Sequence, residues 1–475
     1  LNGKAISFIK NFSYTLISNL ISLIVSALVV LIIPKLIGVE EYGFWQLYLF
    51  YSSYVGFMHF GWNDGIYLRY GGKRYEELNK QLFFSQFWML VFSQAVIAVL
   101  IFIFSVYITA DNNRLFILQM VGLVLVIVNT RYMLLFILQA TNRIKNYAYI
   151  TMMDRLVYIV LIILFLVFGI RDYKLMVAAD LVGKGISLTY AMYCCKDIVF
   201  QTITEFYFSC SEAIKNISVG IKLMFANIAS ILIIGVIRFG IERSWDVATF
   251  GKVSLTLSVS NLTMIFINAV GIIMFPILRR TDKDKLPNIY IIMRDFLMVI
   301  LLGILLAYYP LKVIMSAWLP QYAESLMYMA LVFPMFIYEG KMALLINTYL
   351  KALRKEKIML SINLISLVLS LFVTVITTKM LGNLDLAIGS IVALLAFRSV
   401  LSEVFISKIL KISMHKDIIL ELALTLIFIL SGWFINSWHM VLVYGMGYIF
   451  YIIIKKKDLI RTMSSIKVLI KAKEC

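Results

Sequence analysis

The sequence has little of what a secreted, metal-binding or water-soluble protein depends on. Its 475 residues include four cysteines, three histidines and six prolines. Cys194 and Cys195 are adjacent, Cys210 follows and Cys475 stands last, so no zinc spacing or disulfide framework is present and free thiols are expected. His59, His415 and His439 lie too far apart in sequence to suggest a metal site and read as packing or interfacial residues. The 24 glycines are scattered, which excludes a collagenous or low-complexity segment. No HExxH, P-loop or GxSxG stands in a setting that would support its chemistry. We therefore expect no catalytic residues, no metal and no cofactor.

Charge is also scarce, at 15% of residues, whereas 62% are hydrophobic and the mean hydropathy is +0.92. One soluble core cannot bury that much apolar side chain, so the chain reads as an all-α integral membrane protein. A helix crossing hydrocarbon needs about 20 apolar residues. On that measure we expect fourteen spans, near 11–33, 43–63, 82–109, 115–138, 147–169, 174–194, 216–238, 247–276, 290–309, 325–347, 358–378, 385–407, 418–434 and 438–454. The last two are short and share the turn FINSW, so twelve is the competing count. The first span is too long for a signal-peptide apolar region and reads as retained.

The formal charge of +18 invites a nucleic-acid reading, but its distribution argues otherwise. With a cytoplasmic amino terminus, roughly 28 of the 44 Lys and Arg fall on inside segments such as RYGGKRYEELNK, TNRIKNY, RRTDKDK and KALRKEK, as the positive-inside rule requires. The basicity is topological: both termini are expected in the cytoplasm of a bacterial inner (cytoplasmic) membrane, with membrane lipids and no nucleic acid as partners.

The first span carries a polar stripe in which Asn11, Thr15, Ser18, Asn19, Ser22 and Ser26 recur at spacings of three and four, hence on one helix face. The stripe recurs later in the chain. SFIKNFS at 7–13 is echoed by EAIKNIS at 212–218, and the following helix carries Lys222, Asn227, Ser230 and Arg238. EEYGFWQL at 40–47 is echoed by ATFGKVSL at 248–255, and LQATNRIKNY at 138–147 more weakly by LKALRKEKIM at 350–359. Six helices per repeat is an even number, so the copies run parallel about an axis along the membrane normal. The expected organisation is a six-helix lobe over 1–194, a cytoplasmic linker over 195–215, a second six-helix lobe over 216–410, and two further helices with a basic tail over 411–475.

Polar stripes on corresponding first helices would line a water-filled central cavity that opens alternately to either side. The competing reading is that small polar residues merely let helices approach and hydrogen-bond. Ionisable residues are harder to explain that way, because a charge at mid-bilayer costs about 2.5–3.5 kcal/mol or more. Asp180 and Lys184, and Arg238 and Glu242, stand at i and i+4, while Asp154 with Arg155 and Arg398 with Glu403 are candidates to pair. Arg131 and Lys222 have no acid within a turn of their own helices. The candidate cavity cations are accordingly Lys222, Arg131, Arg155, Lys184 and Arg238, suited to a phosphate or pyrophosphate. Asp64 and Arg69, in GWNDGIYLRYGGKR, frame a glycine-bearing helix end where a hinge or gate is expected.

The stretches IPKLIGVEEYGFWQL, FGWNDGIYLRYGG, LQATNRIKNYA, FGKVSLTLSVSNL with FPILRR, WLPQY, and INTYLKALRKEKIMLSIN resemble the polysaccharide transporter family of bacterial oligosaccharide flippases. That family belongs to the multidrug, oligosaccharidyl-lipid and polysaccharide exporter superfamily. The resemblance implies two six-helix bundles around a V-shaped cavity. It also implies the task of moving undecaprenyl-pyrophosphate-linked oligosaccharide to the outer leaflet for capsule, O-antigen or exopolysaccharide synthesis, beside a polysaccharide polymerase and a chain-length regulator. No substrate-contact residue is carried over from the family. An ion-coupled multidrug exporter would share the architecture and would use an acidic cavity, for which Asp154, Asp180, Glu339 and Glu403 are candidates. A membrane-bound polymerase or glycosyltransferase would place its carboxylates or arginines in a sizeable outer loop, and the outer loops here are short.

Overall fold

The computed structural model describes residues 3–279, 286–435 and 439–471, with side chains described for 13–14, 16–262, 264, 286–355, 357–435 and 439–460. Every regular element among them is helical. Eleven helices among the described residues are long and apolar enough to cross a membrane, and the chain is a multi-pass membrane protein. It divides into two compact units, one of residues 1–228 with 247–251, the other of 229–246 with 252–475.

The first unit contains α1 (Gly3–Leu36), α2 (Val39–Ser52), α3 (Trp62–Tyr70), α4 (Lys80–Ile108), α5 (Asn112–Ala140), α6 (Ile144–Val167), α7 (Tyr173–Cys194), the short α8 (Lys196–Val199) and the beginning of α9 (Cys210–Ser244). Start signals act where a side-chain oxygen can accept an unpaired N–H. Asn79 accepts from Leu82 N, Asp111 from Asn113 N and Asp172 from Lys174 N. Burial ranks the helices: 72% of the apolar window of α5 is inside the protein against 22% for α4. Thus α5 is the central post, with Met133, Leu134 and Leu138 set among Phe83, Phe87, Leu90 and Ile150, whereas α4 turns Phe92 and Phe104 outward.

The expected span over 43–63 is not one helix. It is interrupted between α2 and α3, where Phe60 and Gly61 adopt left-handed φ of 51° and 83°. A membrane-buried interruption must have its freed carbonyls satisfied by protein, and two amides do so. Asn129 Nδ2 donates to Val55 O at 2.9 Å and to Gln94 Oε1 at 2.7 Å; Gln94 Nε2 donates to Met58 O at 3.2 Å. Asn63 Nδ2 donates to Asn129 O at 3.0 Å, tying α3 to α5.

The second unit holds the remainder of α9, most of α10 (Val247–Arg279), α11 (Leu286–Ile304), α12 (Tyr308–Trp318), α13 (Met329–Val332), α14 (Met335–Lys341), α15 (Asn347–Ala352), α16 (Glu356–Thr374), α17 (Leu384–Leu410), α18 (His415–Phe434) and α19 (His439–Lys471). Its central post is the segment Ser325–Ala352, whose apolar window is 89% buried. That segment changes helical type, from a 3-10 turn through α13 and α14 to a π turn at Met342–Ile346. Such irregularity survives because protein surrounds it; Thr348 Oγ1, for example, donates to Ala343 O at 3.1 Å. Beside it Tyr308 and Tyr444 meet Phe428 edge-on, and Phe333 of the segment itself tilts against Tyr308.

Candidate functional site

The ionisable residues inside the helices form separate nodes. In the first unit, α5, α6 and α7 meet at Arg131, whose Nη1 donates to Asp154 Oδ2 at 2.6 Å and to Ser187 Oγ at 3.1 Å. Ser187 Oγ in turn donates to Ile150 O at 2.7 Å, so α7 is pinned to α6. The Arg131 Nε–H is buried without a hydrogen-bond partner. One turn earlier on α7, Lys184 pairs with Asp180, which also accepts from Tyr48 Oη at 2.5 Å. Arg155 is exposed and in ion-pair contact with no described residue.

Adjacency had suggested Asp154 with Arg155, but successive residues point about 100° apart on a helix. Asp154 therefore turns inward to Arg131 and Arg155 outward. Arg398 and Glu403, five residues apart, are likewise on divergent faces. Arg398 Nη1 meets Glu339 Oε1 at 3.2 Å, its Nε donates to Asn363 Oδ1 at 3.0 Å, and its Nη2 to Ser230 Oγ at 2.7 Å.

Glu403 belongs to a second node. Arg294 Nε and Lys341 Nζ (2.6 Å) hold its two oxygens, while Glu421 takes Arg294 Nη2 at 3.0 Å and Lys341 Nζ at 2.7 Å. All four side chains are at most 3% exposed. Arg294, Lys341 and Glu421 carry no spacing signal in the sequence that marks them as partners. The available signal was two acids and two bases inside four different expected spans, a balance that only tertiary contact explains.

The polar stripe divides. Ser18 is buried, its Oγ 3.5 Å from Ala148 O on α6; Ser26 Oγ donates to Ser22 O at 2.8 Å; Asn19 is exposed and Ser22 half-buried. Asn11 and Thr15 lie outside the residues whose side chains are described. On α9, Lys222 and Asn227 are exposed, and Lys222 makes no hydrogen bond or ion pair with a described residue. Arg238 Nη2 donates to Ser254 Oγ at 3.1 Å, and Glu242 meets Arg243 at 3.2 Å. Asp64 is nearly buried, 3.7 Å from His59 Nε2, and Arg69 bonds to Glu212 and Asn216.

Beyond the helix ends, the Tyr75 ring is flanked by Lys80 and Arg143 cations at 3.4 and 3.6 Å, and its hydroxyl donates to Asp197 Oδ1 at 2.6 Å. Burial opposes ionisation of Asp197, yet hydrogen bonds from Tyr75 and Lys80 hold its carboxyl below the usual carboxylate range.

No protein-family model matches the chain, and no curated protein matches it. Solved structures do. The lipid II flippase MurJ, in an inward closed conformation, superposes over 94% of this chain and 99% of its own with a TM-score of 0.64 at 12% identity. An inward-facing multidrug resistance MATE family transporter of the MOP superfamily covers 81% of this chain and 96% of its own, with a TM-score of 0.58 at 11% identity. The fold is that of the MOP-superfamily transporters. At these identities the likeness reports architecture, and within the MOP fold the two structural relatives carry very different cargo.

Proposed function

We propose that the protein is a flippase moving polyprenyl-pyrophosphate-linked oligosaccharide from the inner to the outer leaflet by alternating access, in service of surface polysaccharide synthesis. The observation that carries this reading is the balance of charge. The four acids singled out for a cation exporter are each bound to a cation of the protein: Asp154 to Arg131, Asp180 to Lys184, Glu339 to Arg398, and Glu403 to Arg294 and Lys341. In the first unit, Arg155 and Lys222 stand exposed without such a partner among the described residues, and Arg131 keeps a buried Nε–H that no described residue accepts. The surplus is positive and suits an oxyanion.

The chemistry of the substrate assigns the remaining roles. The polyprenyl chain stays in lipid, and only the pyrophosphate and sugars need shelter. Lys222, Arg131, Arg155, Lys184 and Arg238 supply neutralisation, and the stripe of Asn11, Thr15, Ser18, Asn19, Ser22, Asn227 and Ser230 supplies hydrogen bonds to hydroxyls. The lobes are read as parallel repeats over 1–194 and 216–410, joined by a cytoplasmic linker, with both termini in the cytoplasm of the inner membrane; the lipid-linked oligosaccharide is the partner, beside a polymerase and a chain-length regulator. The test is deletion in the native bacterium. Lipid-linked repeat units should accumulate at the cytoplasmic leaflet and surface polysaccharide should vanish while sugar-transferase activity persists. If surface polysaccharide persisted at its normal level, the reading would be wrong.

A further inference from the structure

Two helices of the first unit carry matching four-residue periods. Gly61, Gly65 and Arg69 stand at i, i+4 and i+8 along α3 and its N-cap; Glu212, Asn216 and Gly220 do so along the start of α9. Such residues share a helix face, and the two faces meet in opposite chain direction. A Cβ placed on Gly61 would lie 2.6 Å from Ile221 Cα, one on Gly65 2.8 Å from Asn216 Cα, and one on Gly220 3.0 Å from Asp64 C. The neighbours are backbone atoms, which no rotamer change can clear. Arg69 closes the seam: its Nη2 donates to Glu212 Oε2 at 2.8 Å and its Nη1 to Asn216 Oδ1 at 2.5 Å. About a quarter of each ion-pair side chain is exposed (26% and 24%), so water competes for the contact and it is releasable.

A related seam lies near the start of α2, where a Cβ on Gly251 would fall 2.7 Å from Gly43 Cα. These two glycines stand at equivalent positions of the octapeptides EEYGFWQL and ATFGKVSL. The Phe50 and Phe250 rings meet edge-on beside them at 5.6 Å. The seam at α3 therefore differs from its counterpart in ending on an ionic contact that can open.

We propose that α3 and the start of α9 form the inner gate of the transport cycle, with Arg69, Glu212 and Asn216 as its releasable lock. This rests on the transporter reading above. The glycine faces give the closed seam its fit, and the lock sets the fraction of time it is closed. Spin labels on Leu68→Cys and Ile214→Cys, exposed positions beside the seam, report its width in nanodiscs without substrate, in a background with the native cysteines replaced by alanine. Arg69→Ala should lower the ratio of short to long distances roughly five-fold, the scale of a partly exposed, charge-assisted contact. Arg69→Lys should fall between the two, and Arg69→Glu combined with Glu212→Arg should recover most of the short population lost in Arg69→Glu. An unchanged distribution in Arg69→Ala, or a charge swap no better than Arg69→Glu alone, would overturn the lock. Since no substrate is present, a different cargo would leave this result intact, while normal flipping across an unaltered seam would sink the lock alone.

Discussion

The charged nodes of the two units differ in what they leave over. In the second unit Arg294 and Lys341 face Glu403 and Glu421, two charges against two, with Arg294 Nε and Nη2 and Lys341 Nζ directed at carboxylates and every side chain at most 3% exposed. Nothing in that node is left for a ligand. It joins α11, α14, α17 and α18, and its cost in desolvation is offset only while all four members stay paired. In the first unit Arg131, Arg155, Lys184 and Lys222 outnumber Asp154 and Asp180, and exposure is graded, from 7% for the Arg131 side chain through 15% for Lys184 to the exposed Arg155 and Lys222. A saturated node holds helices together; an unsaturated one can receive an oxyanion.

The largest effect should come from unbalancing the saturated node. Lys341→Met leaves Glu403 and Glu421 sharing one guanidinium, and should cost about 3–5 kcal/mol, read as loss of folded protein by thermal unfolding in detergent. Adding Glu403→Met restores the balance around Arg294 and Glu421 and should return most of that stability. A double variant no more stable than the single one would mean that the node does not act as a closed set.

Next in size is Arg131→Lys. Charge is kept, so Asp154 keeps a partner and stability should fall by only about 1 kcal/mol, but the planar fork is lost. Flipping should drop by roughly ten-fold, the cost of one charge-assisted hydrogen bond of about 1.4 kcal/mol. Equal losses of stability and flux would instead place Arg131 among purely structural residues, as in the second unit. Lys222→Ala should leave stability within about 0.5 kcal/mol of the parent and still impair flipping, with Lys222→Arg partly active. Full flux from well-inserted Lys222→Ala would mean that the ammonium merely reaches for the inner membrane surface.

The smallest effect is at the rim. Asp197 has a folded pKa below its unfolded value, so its contribution is present above the unfolded pKa and is lost as pH falls through the folded one. Its side chain is 45% exposed, which limits that contribution to about 0.5 kcal/mol. Asp197→Asn should therefore flatten the acid limb of the stability profile slightly; a steeper limb would contradict the assignment.

The all-helical, multi-pass architecture was legible in the sequence, because membrane spans are long apolar runs. Gly43 and Gly251, paired in sequence by their octapeptides, turn out to touch. The interruption in the second span was not legible. GFMHFGWN reads as apolar, and the amides that make its interruption tolerable, Gln94 and Asn129, come from α4 and α5. Partner choice was legible only within a helix. Asp180 with Lys184 followed from spacing, whereas Asp154 with Arg131 and Arg398 with Glu339 required knowledge of which helices adjoin.

Reconstitution tests the proposed activity most directly. The protein in sealed vesicles, with a fluorescent polyprenyl-pyrophosphate oligosaccharide in both leaflets and an impermeant glycan-cleaving enzyme outside, should make the inner pool cleavable, and Arg131→Lys should slow that exposure roughly ten-fold. If the inner pool stayed protected while the same vesicles expelled a cationic dye, the protein would be an exporter of cations and the reading of its surplus positive charge would be wrong.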